Sequence, residues 1–192
     1  VNTFIGPKGR AAQMNAGAER AGNEILIFLH ADTKLPEDAF RLIENAFRQK
    51  AIVGGAFQLS IDSDRSYLKL VSWMANRRTA LNRIPYGDQA IFLDREYFNY
   101  MGGFREILLM EEVELMRRIR KRGDSITIVD EPVLTSDRRW EDEGAYYVTF
   151  RNWTLAVLYS LGVSPKFLVK FYKFGNRKHE KSRRFFSFLL SD

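Results

Sequence analysis

Residues 24–33 constrain the fold more than any other part of the sequence. They read Glu-Ile-Leu-Ile-Phe-Leu-His-Ala-Asp-Thr, so that five consecutive apolar residues lead directly into polar ones. An uninterrupted apolar run between Gly22 and Pro36 is typical of a strand that is buried on both faces. Open α/β sheets bind ligands at the carboxyl ends of such strands. Asp32 is therefore the first candidate site residue, with the N-cap of a following helix as the alternative interpretation.

Helical and strand-like segments alternate along the rest of the chain, which predicts an α/β fold with a mostly parallel central sheet flanked by helices. A second apolar strand is expected after the turn that begins at Pro85. The other predicted helices lie within 6–21 and at 36–49, 68–81, 95–101 and 110–121, and the other predicted strands at 52–60, 125–129 and 132–135.

The composition excludes several classes of protein. A chain of 192 residues suits one domain of ordinary size with a substantial core. The absence of cysteine excludes disulfides and thiolate metal sites. No apolar run approaches the roughly 20 residues that a membrane span needs. We expect a cytoplasmic protein that is soluble or peripherally bound at the inner face of the membrane.

The positive charge is concentrated at one end of the chain. The net charge is +6, and residues 166–192 hold 8 Lys or Arg against 2 Asp or Glu. We divide the chain into a domain at 1–143 and a helical, basic extension at 144–192. Basic residues beside apolar ones at 166–186 suit contact with an anionic membrane, and a helix packed on the domain with a solvated basic face is the alternative. Nucleic acid is not an expected partner, because the charge is confined to one end and the strand-end acids would repel phosphates.

Further polar residues follow the other predicted strands. Asp88 and Gln89 lie at the mouth of one strand, and Glu111 and Glu112 open a helix. A metal carboxylate, an acid able to act as a base, and guanidinium groups for a diphosphate together suit group transfer from a nucleotide diphosphate donor. First-turn acids also complement a helix dipole without any catalytic role.

The first predicted helix is entered through glycines and carries Lys8 and Arg10 at its amino end. Free amide groups and the helix dipole favour anions at such a terminus, which suits a phosphate. An ordinary loop before a helix of small residues is the alternative.

Five ordered motifs within residues 6–140 resemble those of family 2 glycosyltransferases, most closely the small bacterial branch often labelled arsenosugar-biosynthesis-type. They read Gly-Arg-Ala-Ala-Gln-Met-Asn-Ala-Gly-Ala at 9–18, Phe-Leu-His-Ala-Asp-Thr at 28–33, Gly-Asp-Gln-Ala-Ile-Phe at 87–92, Met-Glu-Glu-Val-Glu-Leu at 110–115 and Arg-Arg-Trp at 138–140. Each motif is weak alone, but all five in this order are specific.

The resemblance implies a GT-A fold, a nucleotide-diphosphate sugar donor, and inversion at the anomeric carbon with Mg²⁺ or Mn²⁺. Asp32 matches the last Asp of the family's Asp-X-Asp motif and would hold the metal. His30 stands where the family has the first Asp. Glu112 stands at the catalytic Asp and would be the base, with Glu111 as the fallback. The residues implied to bind the donor and its diphosphate are Arg10, Gln13, Asn15, His30, Asp88, Gln89, Arg139 and Trp140, with Ser136 where the family's last motif has Gln.

Members of this family begin with a strand, a helix and a second strand, which are not visible before residue 6. We therefore expect that an N-terminal part is missing and that the chain binds a nucleotide weakly without it. The predicted function is an inverting, metal-dependent glycosyltransferase acting on an unknown acceptor, which a membrane contact would make lipid-linked. The alternatives are an inactive glycosyltransferase-like protein and a basic module that binds nucleic acid or a membrane surface.

Overall fold

The computed structural model describes residues 3–49, 51–170 and 172. The strands are β1 (Ile25–Phe28), β2 (Thr33–Lys34), β3 (Gly54–Asp62), β4 (Ile91–Asp94) and β5 (Ile126–Ser136). The helices are α1 (Arg10–Arg20), α2 (Ala39–Gln49), α3 (Ser66–Asn82), α4 (Arg95–Tyr100), α5 (Glu111–Arg122), α6 (Arg138–Glu143) and α7 (Ala145–Ser160), with a 3₁₀ turn at Gly87–Gln89.

The chain forms two compact units. The first comprises Val1–Glu106 and Glu111–Asp137 and contains the sheet. The second comprises Ile107–Met110 and Arg138–Asp192 and contains α6, α7 and a helical segment at 165–170. The contacts thus divide the chain after Asp137, and the domain boundary expected after residue 143 stays a prediction.

The sheet confirms the α/β class but is mixed rather than mostly parallel. Its strand order is β1-β4-β3-β5-β2. Strands β3 and β5 run parallel, whereas the pairs β1–β4, β3–β4 and β2–β5 are antiparallel. The expectation of a mostly parallel sheet is wrong because a continuous apolar run carries no information on strand direction. The expectation that β1 is buried on both faces is also wrong, since β1 is an edge strand in which only Leu26 is buried.

The apolar run after Glu24 forms the edge strand β1, and the chain then turns before the short strand β2. The Thr33 amide donates to the His30 carbonyl at 3.1 Å, which closes a turn containing Asp32. The Ser136 amide donates to the Asp32 carbonyl at 3.0 Å, so β5 holds this turn at the end of the sheet. Helix α2 begins only at Ala39. Asp32 is therefore not an N-cap, and the alternative interpretation of this residue is wrong.

The two short strands expected at 125–129 and 132–135 form one strand, β5. Its register with β3 shifts between Phe57 and Gln58, whose partners are Val129 and Pro132. A bulge accommodates the Pro132 ring, which cannot donate to a ladder. The proline therefore interrupts the pairing without ending the strand.

The core lies between α2 and the sheet. Its buried residues are Ala39, Ile43, Phe57, Leu59, Ala90, Phe92, Val129 and Val133. Gly55 lets β3 fit between its neighbours, because a Cβ there would lie 2.6 Å from Phe92 Cζ and 2.9 Å from Thr127 Cγ2. This packing fixes the strand ends that carry the candidate site.

Among residues 3–49, 51–170 and 172, no helix combines the length and apolar character that crossing a membrane requires. Most of the predicted basic contact segment at 166–186, including everything from 173 onward, lies outside the described residues.

Candidate active site

Arg10 is the centre of a cluster of charged side chains. It opens α1 directly after Gly9, whose φ of 122° turns the chain into the helix. Arg10 Nη2 donates to His30 Nε2 at 2.6 Å and to Glu112 Oε1. Arg10 Nε lies 3.2 Å from Glu111 Oε1. The first turn of α1, the end of β1 and the first turn of α5 therefore meet at one guanidinium.

The His30 ring completes this contact as an acceptor. A guanidinium can only donate hydrogen bonds, so His30 Nε2 is the acceptor in this contact. His30 Nε2 lies 3.8 Å from Glu112 Oε1, which is beyond hydrogen-bond distance. Arg10 thus lies between the imidazole and the carboxylate and binds both.

Glu111 and Glu112 are more than solvated first-turn acids. Their residues are only 2% and 4% exposed. Burial and the charge of Glu112 raise the pKa of Glu111 above its ordinary value. Burial alone would also raise the pKa of Glu112, but the Arg10 charge and a backbone hydrogen bond act against burial, and the pKa of Glu112 lies below its ordinary value. The two carboxyl groups differ in proton affinity, as the members of an acid–base pair do.

Gly87 provides the space in which these side chains meet. A Cβ at this position would lie 2.7 Å from both Arg10 Nη2 and His30 Nε2, and in close contact with Glu112 Oε1. Gly87 begins the 3₁₀ turn before β4, so this turn delivers its backbone directly to the cluster. Sequence reasoning placed Gly87 in a motif but missed it as a site residue, because its role is the absence of a side chain.

Asp88 is half-buried in the same 3₁₀ turn. Burial raises the pKa of Asp88, whereas the Arg78 charge lowers it and the Glu112 charge raises it. The Arg78 guanidinium stacks on the Tyr86 ring at 3.6 Å from its centroid. Arg78 Nε is buried and finds no hydrogen-bond partner among the described residues. Sequence analysis does not single out Arg78, since the tertiary structure decides which face of a helix packs against the rest of the protein.

Gln89 and Asn15 use their side chains within the protein. Gln89 Oε1 accepts from Thr79 Oγ1 at 2.9 Å and from the Tyr86 amide at 3.2 Å, and Gln89 Nε2 donates to the Phe57 carbonyl at 3.1 Å. Asn15 Nδ2 donates to the Phe104 carbonyl at 2.8 Å, and Asn15 Oδ1 accepts from the Phe104 amide at 2.9 Å. Both amides fix backbone segments beside the cluster, whereas Gln13 is exposed.

Comparisons with models of known families, with curated proteins and with solved structures found no match. The arrangement of the side chains therefore carries the functional argument.

A cleft of about 460 Å³ leads to the cluster. His30, Gly87 and Glu112 form its polar end. The rest of its wall comes from α1, β1 and the residues that adjoin them, including Met14, Ala18, Leu26 and Phe28. Glu112 is thus buried but borders an open space.

Arg139 and Trp140 belong to the second unit, in α6. Arg139 is exposed. Trp140 Nε1 donates to Thr149 Oγ1 at 3.3 Å, which ties α6 to α7. Their contact with a donor diphosphate stays a prediction.

Proposed function

We propose that this protein is an inverting, metal-dependent glycosyltransferase that moves a sugar from a nucleotide-diphosphate donor to an acceptor hydroxyl. The observation that supports this function best is the meeting of Arg10, His30, Glu111 and Glu112 around Gly87 at the end of a cleft. The ordered motifs that resemble family 2 glycosyltransferases supply these same residues.

Glu112 is the proposed base. Its lowered pKa keeps it ionised at neutral pH, so that it can accept the proton of the acceptor hydroxyl as that oxygen attacks the anomeric carbon. The bond to the diphosphate breaks on the opposite face of the sugar, which inverts the configuration. Glu111, whose pKa is raised, is the fallback for this role.

Asp32 is the proposed metal ligand. The described residues contain no group of three His, Cys, Asp or Glu side chains that could hold a metal, so Asp32 would supply a single carboxylate. This donor set fits Mg²⁺ or Mn²⁺, because such ions bind through one or two carboxylates together with substrate phosphates and water. When bound, the metal supplies positive charge against the leaving diphosphate. Arg10 adds a guanidinium suited to the same anion.

A donor screen tests this proposal directly. The full chain is heated with Mn²⁺ and each member of a panel of UDP-, GDP- and ADP-sugars, and a ligand of the folded state raises the midpoint of unfolding. Release of the nucleoside diphosphate is then measured in the wild type, Asp32→Ala and Glu112→Gln. We expect a shift with at least one donor and turnover that both substitutions abolish. A chain with no shift and no turnover for the whole panel would contradict the proposal and leave a glycosyltransferase-like protein without activity.

The surface of the second unit is the basis for a proposed acceptor and cellular location. Phe150, Trp153, Val157 and Leu161 are exposed at helical spacing along and just beyond α7, and Lys166 and Lys170 are exposed after them. Such a surface suits the cytoplasmic face of an anionic membrane and a lipid-linked acceptor.

Flotation of the full chain with anionic vesicles should exceed flotation with neutral vesicles. Equal flotation with the two kinds of vesicle would contradict the proposed membrane contact.

A further inference from the structure

The cluster combines one accessible cation with two inaccessible anions. The Arg10 side chain is 49% exposed, whereas the side chains of Glu111 and Glu112 are 2% and 6% exposed. Arg10 can therefore turn toward solvent without unpacking the core, whereas the two carboxylates cannot. Any rearrangement of this cluster has to begin with Arg10.

In the present arrangement Glu112 is ionised at neutral pH, but it is a weaker base than it would be without Arg10. Glu112 Oε1 accepts a charge-assisted hydrogen bond from Arg10, which lowers its affinity for a proton. The same oxygen faces Gly87 and lies 3.8 Å from His30 Nε2. An acceptor hydroxyl has to compete with the guanidinium for that oxygen.

We propose that Arg10 is a positioning residue that restrains Glu112 until an anionic diphosphate draws its guanidinium away, so that donor binding releases the base. This inference rests on the proposed function and specifies the order of its steps. The donor enters first, and Glu112 becomes able to accept a proton only afterwards.

Two features of α1 support competition between a diphosphate and Glu112 for Arg10. Arg10 is the first residue of the helix and therefore belongs to the turn whose amide groups lack intrahelical partners. Gly9, the N-cap residue, has no side chain to cap that turn, and uncapped amides and a guanidinium both favour a phosphate group. A diphosphate carries more charge than the carboxylate from which it would take Arg10.

The charged groups that face Glu112 come from several elements. Arg10 reaches it from α1, His30 from the end of β1, Asp88 from the 3₁₀ turn and Glu111 from its own helix. Of these, Arg10 alone carries a fixed positive charge. Its departure should leave Glu112 beside other acids and so strengthen its hold on a proton.

The alternative role for Arg10 is a permanent tie between α1 and α5. A tie would keep its contact with Glu112 whether or not an anion is bound. The two roles therefore differ in how the titration of Glu112 responds to a diphosphate.

The experiment follows the side-chain carboxyl carbon of Glu112 by ¹³C NMR from acid to neutral pH. Glu112→Gln assigns the signal, and inorganic pyrophosphate without divalent metal is the probe. In the wild type, pyrophosphate should raise the midpoint by about one pH unit, a tenfold change in proton affinity. Arg10→Gln should start from the raised midpoint and show no further change, whereas Arg10→Lys should restore part of the response. Arg41→Gln, at an exposed arginine paired with Asp38, serves as the matched control and should behave as the wild type.

Calorimetry on the same samples separates the outcomes. Pyrophosphate that binds without moving the Glu112 midpoint would show that Arg10 is a permanent tie and overturn the inference. Absence of pyrophosphate binding would also overturn it, while donor turnover that Glu112→Gln abolishes would still uphold the proposed function. Should Arg10→Gln fail to fold, the comparison of wild type with and without pyrophosphate still decides the question.

Discussion

Gly87 lies so close to His30 that a Cβ added to the glycine would be 2.7 Å from His30 Nε2. The same Cβ would be 2.7 Å from Arg10 Nη2. The backbone of a 3₁₀ turn therefore forms one wall of the charged cluster. A substitution at Gly87 therefore tests directly how closely the side chains of the site are packed.

Gly87→Ala should push Arg10 and His30 apart, because the flexible end of the half-exposed Arg10 is the group that can yield. We expect a loss of about 1–3 kcal/mol in the free energy of unfolding from overpacking. Misplacement of the base should reduce donor turnover about 100-fold. Urea unfolding and turnover of the same preparation measure both effects.

The control for Gly87→Ala is Gly17→Ala. A Cβ at Gly17 meets nothing within 4 Å, and Gly17 lies inside α1. Alanine there should raise the free energy of unfolding by about 0.5–1 kcal/mol, since glycine is unfavourable within a helix. Equal effects of the two substitutions would show that Gly87 is not confined as described.

Asp32→Ala should reduce Mn²⁺-dependent turnover about 100-fold, because the residue is the proposed carboxylate for a metal that stabilises the leaving group. The described hydrogen bond of Asp32 to Ser136 uses its backbone carbonyl, which the substitution keeps. The free energy of unfolding should therefore change by no more than about 0.5 kcal/mol. Asp38→Ala, at a surface ion pair with Arg41, should retain full turnover. Unchanged metal dependence in Asp32→Ala would remove Asp32 from the site.

Gln89→Ala should lower the free energy of unfolding rather than remove a contact with a donor. It leaves the Thr79 hydroxyl, the Tyr86 amide and the Phe57 carbonyl without their partner. We expect a loss of about 1–3 kcal/mol in the free energy of unfolding, the cost of buried polar groups left unpaired. The exposed Gln13→Ala should stay within about 0.5 kcal/mol of the wild type by urea unfolding. A fully stable Gln89→Ala protein with weakened donor binding would assign Gln89 to the donor instead.

The stability of the wild type should fall as the pH rises above 4.5, the ordinary pKa of a Glu side chain. The pKa of Glu111 is raised in the folded protein, so the folded state binds its proton more tightly than the unfolded chain does. That stabilisation is lost as the pH rises through the raised pKa. Asp88 contributes in the same direction from its ordinary value of 3.8 upward. Glu112, whose pKa is lowered, contributes stability that is lost only at lower pH, as the pH falls through its folded pKa.

Urea unfolding of Glu111→Gln across the same pH range checks this prediction. The variant cannot ionise at position 111, so its free energy of unfolding should depend less on pH above 4.5 than that of the wild type. Glu19→Gln, at an exposed position of α1, should keep the wild-type slope. A slope that Glu111→Gln does not change would show that Glu111 is already ionised at low pH in the folded protein.

The local pattern of the sequence predicted most element positions and several members of the cluster. The apolar run before His30, the glycine entry to α1 and the acids that open α5 each have a physical signature within a few neighbouring residues. The roles of Asn15 and Gln89 could not be predicted in this way. Their partners, Phe104 and Phe57, are distant in the sequence, and an amide side chain has the same chemistry whether it faces a ligand or a backbone group.

The sequence by itself determined the α/β class and the residue types that reach the strand ends, because local patterns of polarity indicate apolar segments and helix termini. The tertiary structure alone decided the strand directions, the burial of Glu111 and Glu112, and the position of Arg10 between them and His30. These depend on which distant elements pack together, and a buried carboxylate differs from a solvated one only through that packing.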